Sequence, residues 1–373
     1  MTKQIYLDYN ASTPIAHEAL EAMRPFLTQH YGNPSSPHWA GIPAKDAVER
    51  ARTQVAALLD CDPTEVVFTS GGSESNNHAL KGVFFAHREH GDHIITTAVE
   101  HPATLAPGRF LERLGAKVTI LPVDRFGRVD PDDVRRAISS RTILISVMHA
   151  NNEVGTIQPI AEIAAIAHEA GVLCHTDAAQ SVGKIPTRVD TLGVDLLSLA
   201  GHKLYAPKGI GALYIRKGTC IEPFIHGAGH ESGRRAGTEN VLLAVALGAA
   251  CEVAAGWIDA PQIKDLRDRF WDQLQETFGP KVSLNGHPTQ RLSNTLNINF
   301  TGRTGAEILG RMPQVAASTG SACHAGSVTL SPVLAAMGVP VREGMGAIRF
   351  SLGRATTWKE LDEVISCLRH LSL

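Results

Sequence analysis

The sequence predicts an α/β protein: a fold with a large, mainly parallel sheet and a smaller α/β domain towards the C-terminus. Three observations predict it. Short apolar runs rich in β-branched residues recur from about residue 50 to 220. Amphipathic stretches separate most of them, and the pattern changes after about residue 260. Strands alternating with helical stretches imply parallel pairing with helices on both faces.

The runs are VVFT (66–69), HIITTA (93–98), KVTIL (117–121), TILISVM (142–148), VLCHT (172–176), DLLSLA (195–200) and GALYIR (211–216). AKDAVERARTQVAALL and IAEIAAIAHEAG are two of the amphipathic stretches between or before them. Only a short turn joins the last two runs, which allows one antiparallel strand. VLLAVALGAAC, Val241 to Cys251, reads as a buried helix and is far short of the roughly 20 residues a bilayer span needs. Beyond it a polar helix, PQIKDLRDRFWDQLQETF, leads to the strands TLNINF (295–300) and AIRFSL (347–352) and a final helix, WKELDEVISCLRHL. These changes divide the chain into a large domain, 16–258, and a small one made of 1–15 and 259–373.

The 373 residues are 43% hydrophobic and 19% charged, with a formal net charge of -2. That balance offers no basic footprint for nucleic acid. MTKQIYLDYNASTP contains no signal-peptide core, and no run spans a membrane, so a cytoplasmic protein is expected. The six cysteines are scattered without a CxxC pair, which argues against a disulfide framework or a zinc site. No metal is expected.

Open parallel sheets bind ligands beyond the carboxyl ends of their strands. Five runs end in polar groups: SGGSESNN after the first, then VEHPA, HANNEVG, DAAQS and GHKLYAPKG. SGGSESNN, Ser70 to Asn77, offers backbone N–H groups and a helix N-terminus to a phosphate, though alone it is an ordinary capped turn. It lacks the Walker and dinucleotide spacings. Asp177 closes an apolar run, where a carboxylate is costly without a positive partner; helix capping is the plainer reading. Lys203, three residues past a strand, can lose solvation, lower its pKa and form a Schiff base. His101 can stack on a ring or move a proton. A phosphate cradle, an acid for a ring nitrogen, a stacking histidine and a Schiff-base lysine together describe a site for pyridoxal phosphate (PLP).

The chain also resembles the cysteine desulfurases of the fold-type I, class V aminotransferase superfamily. The resemblance is carried by YLDYNASTP (6–14), YGNPSSPHWAG (31–41), FTSGGSESNN (68–77), EHPA (100–103), HANNEVG (149–155), HTDAAQS (175–181), GHKLYAPKGIGALY (201–214), GAGHESGRRAGT (227–238), STGSACHAG (318–326) and IRFSLGR (348–354). It implies a PLP enzyme that converts L-cysteine to L-alanine and passes the sulfur to Cys323 as a persulfide, for delivery to an acceptor protein. Lys203 is implied as the covalent anchor of the cofactor, His101 as the stacking residue, Asp177 as partner of the ring nitrogen and Gln180 as partner of the ring hydroxyl. Gly72, Ser73 and His202 are implied at the phosphate, with Thr238 reaching the phosphate of a partner subunit in a homodimer. Asn152, Arg349 and Asn33 are implied to hold the substrate. Ala200 departs from the pattern, standing where many relatives have a phosphate-contacting serine.

Cys323 lies in a run of small residues with almost no bulk to bury it, which fits a mobile loop over 316–330 that carries sulfur outward. Cys174, inside a strand pattern, reads as structural. ACHAGSVTLSPVLAAMGVP and GTEN also resemble selenocysteine lyases, which keeps L-selenocysteine as an alternative substrate. A PLP transaminase or lyase for another amino acid, and an inactive binding protein, are the remaining alternatives.

Overall fold

All seven apolar runs between residues 66 and 216 form strands of one sheet. The computed structural model describes residues 4–319, 321–324 and 327–371. The chain begins with β1 (Ile5–Tyr6), α1 (His17–Thr28) and α2 (Ile42–Leu59). The strands then alternate with helices: β2 (Val66–Thr69), α3 (Gly72–His87), β3 (His93–Thr97), α4 (Pro102–Glu112), β4 (Lys117–Leu121), α5 (Pro131–Ala137), β5 (Thr142–Ser146), α6 (Ile160–Glu169), β6 (Leu173–Asp177), α7 (Val189–Leu192), β7 (Leu196–Ala200) and β8 (Gly211–Ile215). Their order across the sheet is β2-β8-β7-β6-β5-β3-β4. Only β8 runs against its neighbours, which is the antiparallel strand the short turn allowed.

Successive residues of these strands enter opposite cores, as a pleated strand dictates. Val66, Ile95, Ile145, Leu197 and Tyr214 belong to one core, while Val67, Ile94, Leu144, Leu196 and Leu213 belong to the other. The first core is closed by α2 and by α8 (Val241–Ala255), the largely apolar helix expected to be buried. A Cβ on Gly248 of α8 would stand 2.7 Å from the Cα of Ala51, so only glycine lets α8 approach α2 this closely.

A separate core surrounds α9 (Pro261–Phe278), which matches the polar helix read from the sequence. After it come β9 (Val282–Asn285), β10 (Thr295–Phe300), α10 (Gly305–Gly310), β11 (Val315–Ala316), β12 (Ser318–Thr319), β13 (Ser321–His324), β14 (Ser327–Leu330), α11 (Pro332–Ala336), α12 (Val341–Gly344), β15 (Ala347–Ser351) and α13 (Trp358–His370). An antiparallel sheet of order β12-β15-β10-β9 backs this core. Ile5 and Leu7 from the start of the chain are part of it, and β1 pairs in parallel with β11. Where the sequence suggested a loop, β13 and β14 pair as a hairpin with Cys323 opposite Val328.

One buried ion pair ties the end of β2 to a distant segment. Arg52 of α2 donates to Glu231 at 2.6 and 3.0 Å and to the carbonyl of Val66 at 2.8 Å. Glu231 also accepts the Phe68 backbone N–H at 2.9 Å. Removing one partner strands a charge in the interior. Glu231→Ala is expected to cost about 3–5 kcal/mol, seen as a lower urea midpoint, while Glu231→Gln loses less.

Candidate active site

The loops after β2, β3, β5, β6 and β7 enclose a cavity of about 580 Å³ at the carboxyl edge of the sheet. The sequence-predicted residues Gly72, Ser73, His101, Asn152, Asp177, Gln180, His202, Lys203 and Arg349 all line it. Two predicted residues do not. Thr238 lines a neighbouring cavity with Ser70 and Arg235. Asn33 is exposed, and its side chain accepts the Ser35 N–H at 2.9 Å in a local turn. The backbone of Cys323 lies in β13; its side chain is outside the described residues.

Lys203 closes a 3₁₀ turn, Gly201–Lys203, directly after β7. Its Nζ donates to the carbonyls of Asn10 and Ala11 at 2.7 and 2.8 Å. Burial, with Arg349 adding, pushes this ammonium down to about 8, against the opposing pull of Asp8 and Asp177. Asp177, at the end of β6, is 6% exposed. Its Oδ1 accepts the Ala179 N–H at 2.9 Å and its Oδ2 accepts Asn76 Nδ2 at 2.6 Å. Among the described residues it has no cation within ion-pair distance, so its charge faces the cavity.

The floor of the cavity is the start of α3, where the first backbone N–H groups of a helix lack partners. A Cβ at Gly72 would meet the Ala200 Cβ at 3.3 Å, so small residues keep this corner open. Glu74 would be an unwelcome anion here. It lines the cavity but is paired with Arg235 at 2.9 Å and accepts the Ser70 N–H at 2.9 Å. His202 flanks the corner, and burial, with Lys203 and Lys208 adding, pushes its ring down to about 4.

His101 caps α4, its Nδ1 accepting the Ala103 N–H at 3.1 Å. That bond puts the ring proton on Nε2, and burial lowers the pKa, so the ring facing the cavity is neutral. Gln180 is fixed at both ends: Nε2 donates to the Asn10 carbonyl at 2.9 Å, and Oε1 accepts Lys184 Nζ at 2.9 Å. Arg349 projects from the middle of β15, with Nη1 on the Asn152 carbonyl at 3.0 Å.

Asn10, Asn76, Lys184 and Asp8 were not singled out from the sequence. Asn10 and Asp8 stand in YLDYNASTP and Asn76 in SGGSESNN, so the motifs were visible while the individual contacts were not. Asn76 is 1% exposed and orients the Asp177 carboxylate.

The class-V aminotransferase family model matches residues 5–364. The chain belongs to that family. This class-V aminotransferase is 49% identical over 100% of its length to cysteine desulfurase IscS of Dictyoglomus turgidum, covering 95% of that protein. Among solved structures it resembles a NifS-like protein at 37% identity, with a TM-score of 0.93 and 99% of each chain covered. It also resembles SspA in complex with cysteine, at 39% identity and a TM-score of 0.83, covering 93% of this chain and 98% of that one.

A lysine amine adds to an aldehyde only when neutral. In the cofactor-free protein, reductive labelling of Lys203 by an aldehyde is expected to reach half its maximal rate near pH 8. Exposed lysines should do so near about 10.4. Peptide mass spectrometry across a pH series measures both.

Proposed function

We propose that the protein is a cysteine desulfurase that uses PLP to convert L-cysteine to L-alanine and holds the sulfur on Cys323 as a persulfide. The observation that carries this reading is the meeting of Lys203, Asp177 and Arg349 in one cavity. The relatives named cysteine desulfurase support it.

The residues present fit PLP. Asp177 offers a charge with no cation within ion-pair distance among the described residues, suited to a protonated ring nitrogen. Lys203 offers a depressed amine, and the start of α3 offers unpaired N–H groups for a phosphate. Lys203 would anchor the aldehyde carbon, His101 stack on the ring and Gln180 meet its hydroxyl. Gly72, Ser73 and His202 would hold the phosphate. When bound, PLP supplies an electron sink for bonds broken at the substrate's carbons.

The remaining chemistry belongs to the chain. Arg349 and Asn152 hold the substrate carboxylate. Lys203, once released, takes the Cα proton. The Cys323 thiolate attacks the substrate sulfur, forming an S–S bond as the C–S bond breaks. The bonding pair returns to carbon and is capped by a proton, leaving alanine and a Cys323 persulfide. Ser318 of β12 pairs with Arg349 in β15, and Cys323 follows it by five residues. Five extended residues reach about 17 Å, which suits a thiol that starts beside the substrate and turns outward.

We read the protein as a homodimer. Thr238 lines a neighbouring cavity rather than that of its own chain's Lys203, which suits a phosphate held by the other subunit. Trp39 is 80% exposed and Tyr31 77%, large apolar surface for a second copy to cover. The two cores suggest two domains, 16–258 and the remainder. No described helix is long and apolar enough to cross a membrane. With free cysteines among the described residues, a reducing cytoplasm is the compartment we assign. The sulfur acceptor is a separate protein that receives the persulfide.

Cys323→Ala is expected to retain PLP and its yellow colour while alanine release from L-cysteine falls by at least about a hundredfold. Mass spectrometry of the parent enzyme after L-cysteine should find one extra sulfur on the Cys323 peptide. Undiminished alanine production by the variant would refute the assignment.

A further inference from the structure

Arg349 is already engaged by an internal carboxylate. Its Nη2 donates to Asp8 Oδ1 at 2.6 Å and to Ser318 Oγ at 2.9 Å. Ser318 Oγ in turn donates to the same Asp8 oxygen at 2.9 Å. Nη1 uses one hydrogen on the Asn152 carbonyl. Nε is buried without a partner. A guanidinium has five N–H groups, so one hydrogen on Nη1 and the Nε hydrogen remain.

The geometry of the fork decides what a second carboxylate can do. An end-on bidentate pair uses Nη1 and Nη2, and a side-on pair uses Nε and Nη2. Both edges include Nη2, where the Asp8 carboxylate and Ser318 already sit. An amino-acid carboxylate that binds through two prongs therefore meets Asp8 at Nη2, charge against like charge. The side chain of Asp8 is 20% exposed and that of Arg349 is 9% exposed, so the contest takes place with little water to screen it.

We propose that Asp8 is a positioning residue that competes with amino-acid carboxylates for Arg349. In the free enzyme it satisfies the guanidinium and holds it in line with the cavity. On binding it yields a hydrogen bond, and on product departure it takes that bond back. The competitor weakens retention of every α-carboxylate, the alanine product included, and so favours release. This rests on the reading of Arg349 as the carboxylate anchor.

The test uses the PLP-loaded full-length enzyme. L-Alanine and L-alaninamide, which lacks the carboxylate, are titrated against it, and the change in the bound cofactor's absorbance gives each Kd. Asp8→Asn keeps the shape and the acceptor but removes the charge. It is expected to tighten alanine by about three- to tenfold, the scale of one partly screened ion pair, and to leave alaninamide within about twofold. The KM for L-cysteine should fall by a similar factor without a rise in kcat. Asp8→Glu, which restores the charge, should bind alanine more weakly than Asp8→Asn. Unchanged or weaker alanine binding by Asp8→Asn overturns the proposal, as does equal tightening of alaninamide, which marks a merely structural effect. Arg349→Lys, measured alongside, must weaken alanine and spare alaninamide. If it does not, the anchor reading itself fails and this inference falls with it.

Discussion

The cavity is held together at Asn10. Its main-chain carbonyl accepts both Lys203 Nζ and Gln180 Nε2, at 2.7 and 2.9 Å. Its amide nitrogen reaches Thr295 Oγ1 at 2.8 Å and the Asn152 carbonyl at 3.2 Å. Its amide oxygen accepts Asn294 at 3.0 Å and Lys184 at 3.3 Å, and its own N–H donates to Ser351 at 2.9 Å. Every polar group of this 1% exposed residue is thus engaged, and the partners come from the small sheet and from the segments that follow strands of the large one. A buried polar group costs free energy unless paired, so the large sheet and the small one can join here in only one arrangement. That arrangement sets where Lys203 and Arg349 stand relative to each other.

The electrostatics follow from the same seam. Lys203, Lys184 and Arg349 are gathered where water is scarce, and among the described residues Asp8, Asp177 and Glu153 oppose them. Burial pushes Lys184 down to about 7, with Lys203 and Arg349 adding to the shift. Arg349 has a carboxylate, Asp8, as direct partner, whereas among the described residues the two amines donate only to carbonyl and amide oxygens. The fold thereby separates an always-cationic anchor from amines that can act as nucleophiles or bases near neutral pH.

Much of this was legible in the sequence. The short, continuous apolar runs located all seven strands of the large sheet, because a doubly covered strand must be apolar on both faces. The polar residues after those runs converged because parallel strands present their carboxyl ends on one edge. The hairpin of β13 and β14 was not legible. Its small residues carry no side-chain alternation, and its pairing is a backbone matter. Asn10, Lys184 and Asp8 were missed for another reason. Their partners lie as far as 341 positions away, and no local period or spacing encodes such a contact. Asn33 and Thr238 stand in motifs read from the sequence but do not line the cavity.

The long reach of Asn10 bears on how the molecule is made. Its bonds to Asn294 and Ser351 span 284 and 341 positions. On a ribosome delivering about 5–20 residues per second, those partners emerge tens of seconds after Asn10 itself. Until then the large sheet can assemble and present its lysine, but the seam that fixes the lysine's surroundings has no second side. Catalytic competence is therefore a late, post-synthetic event for this chain, and the nascent large domain passes through a stage in which its reactive amine is built but not yet walled in.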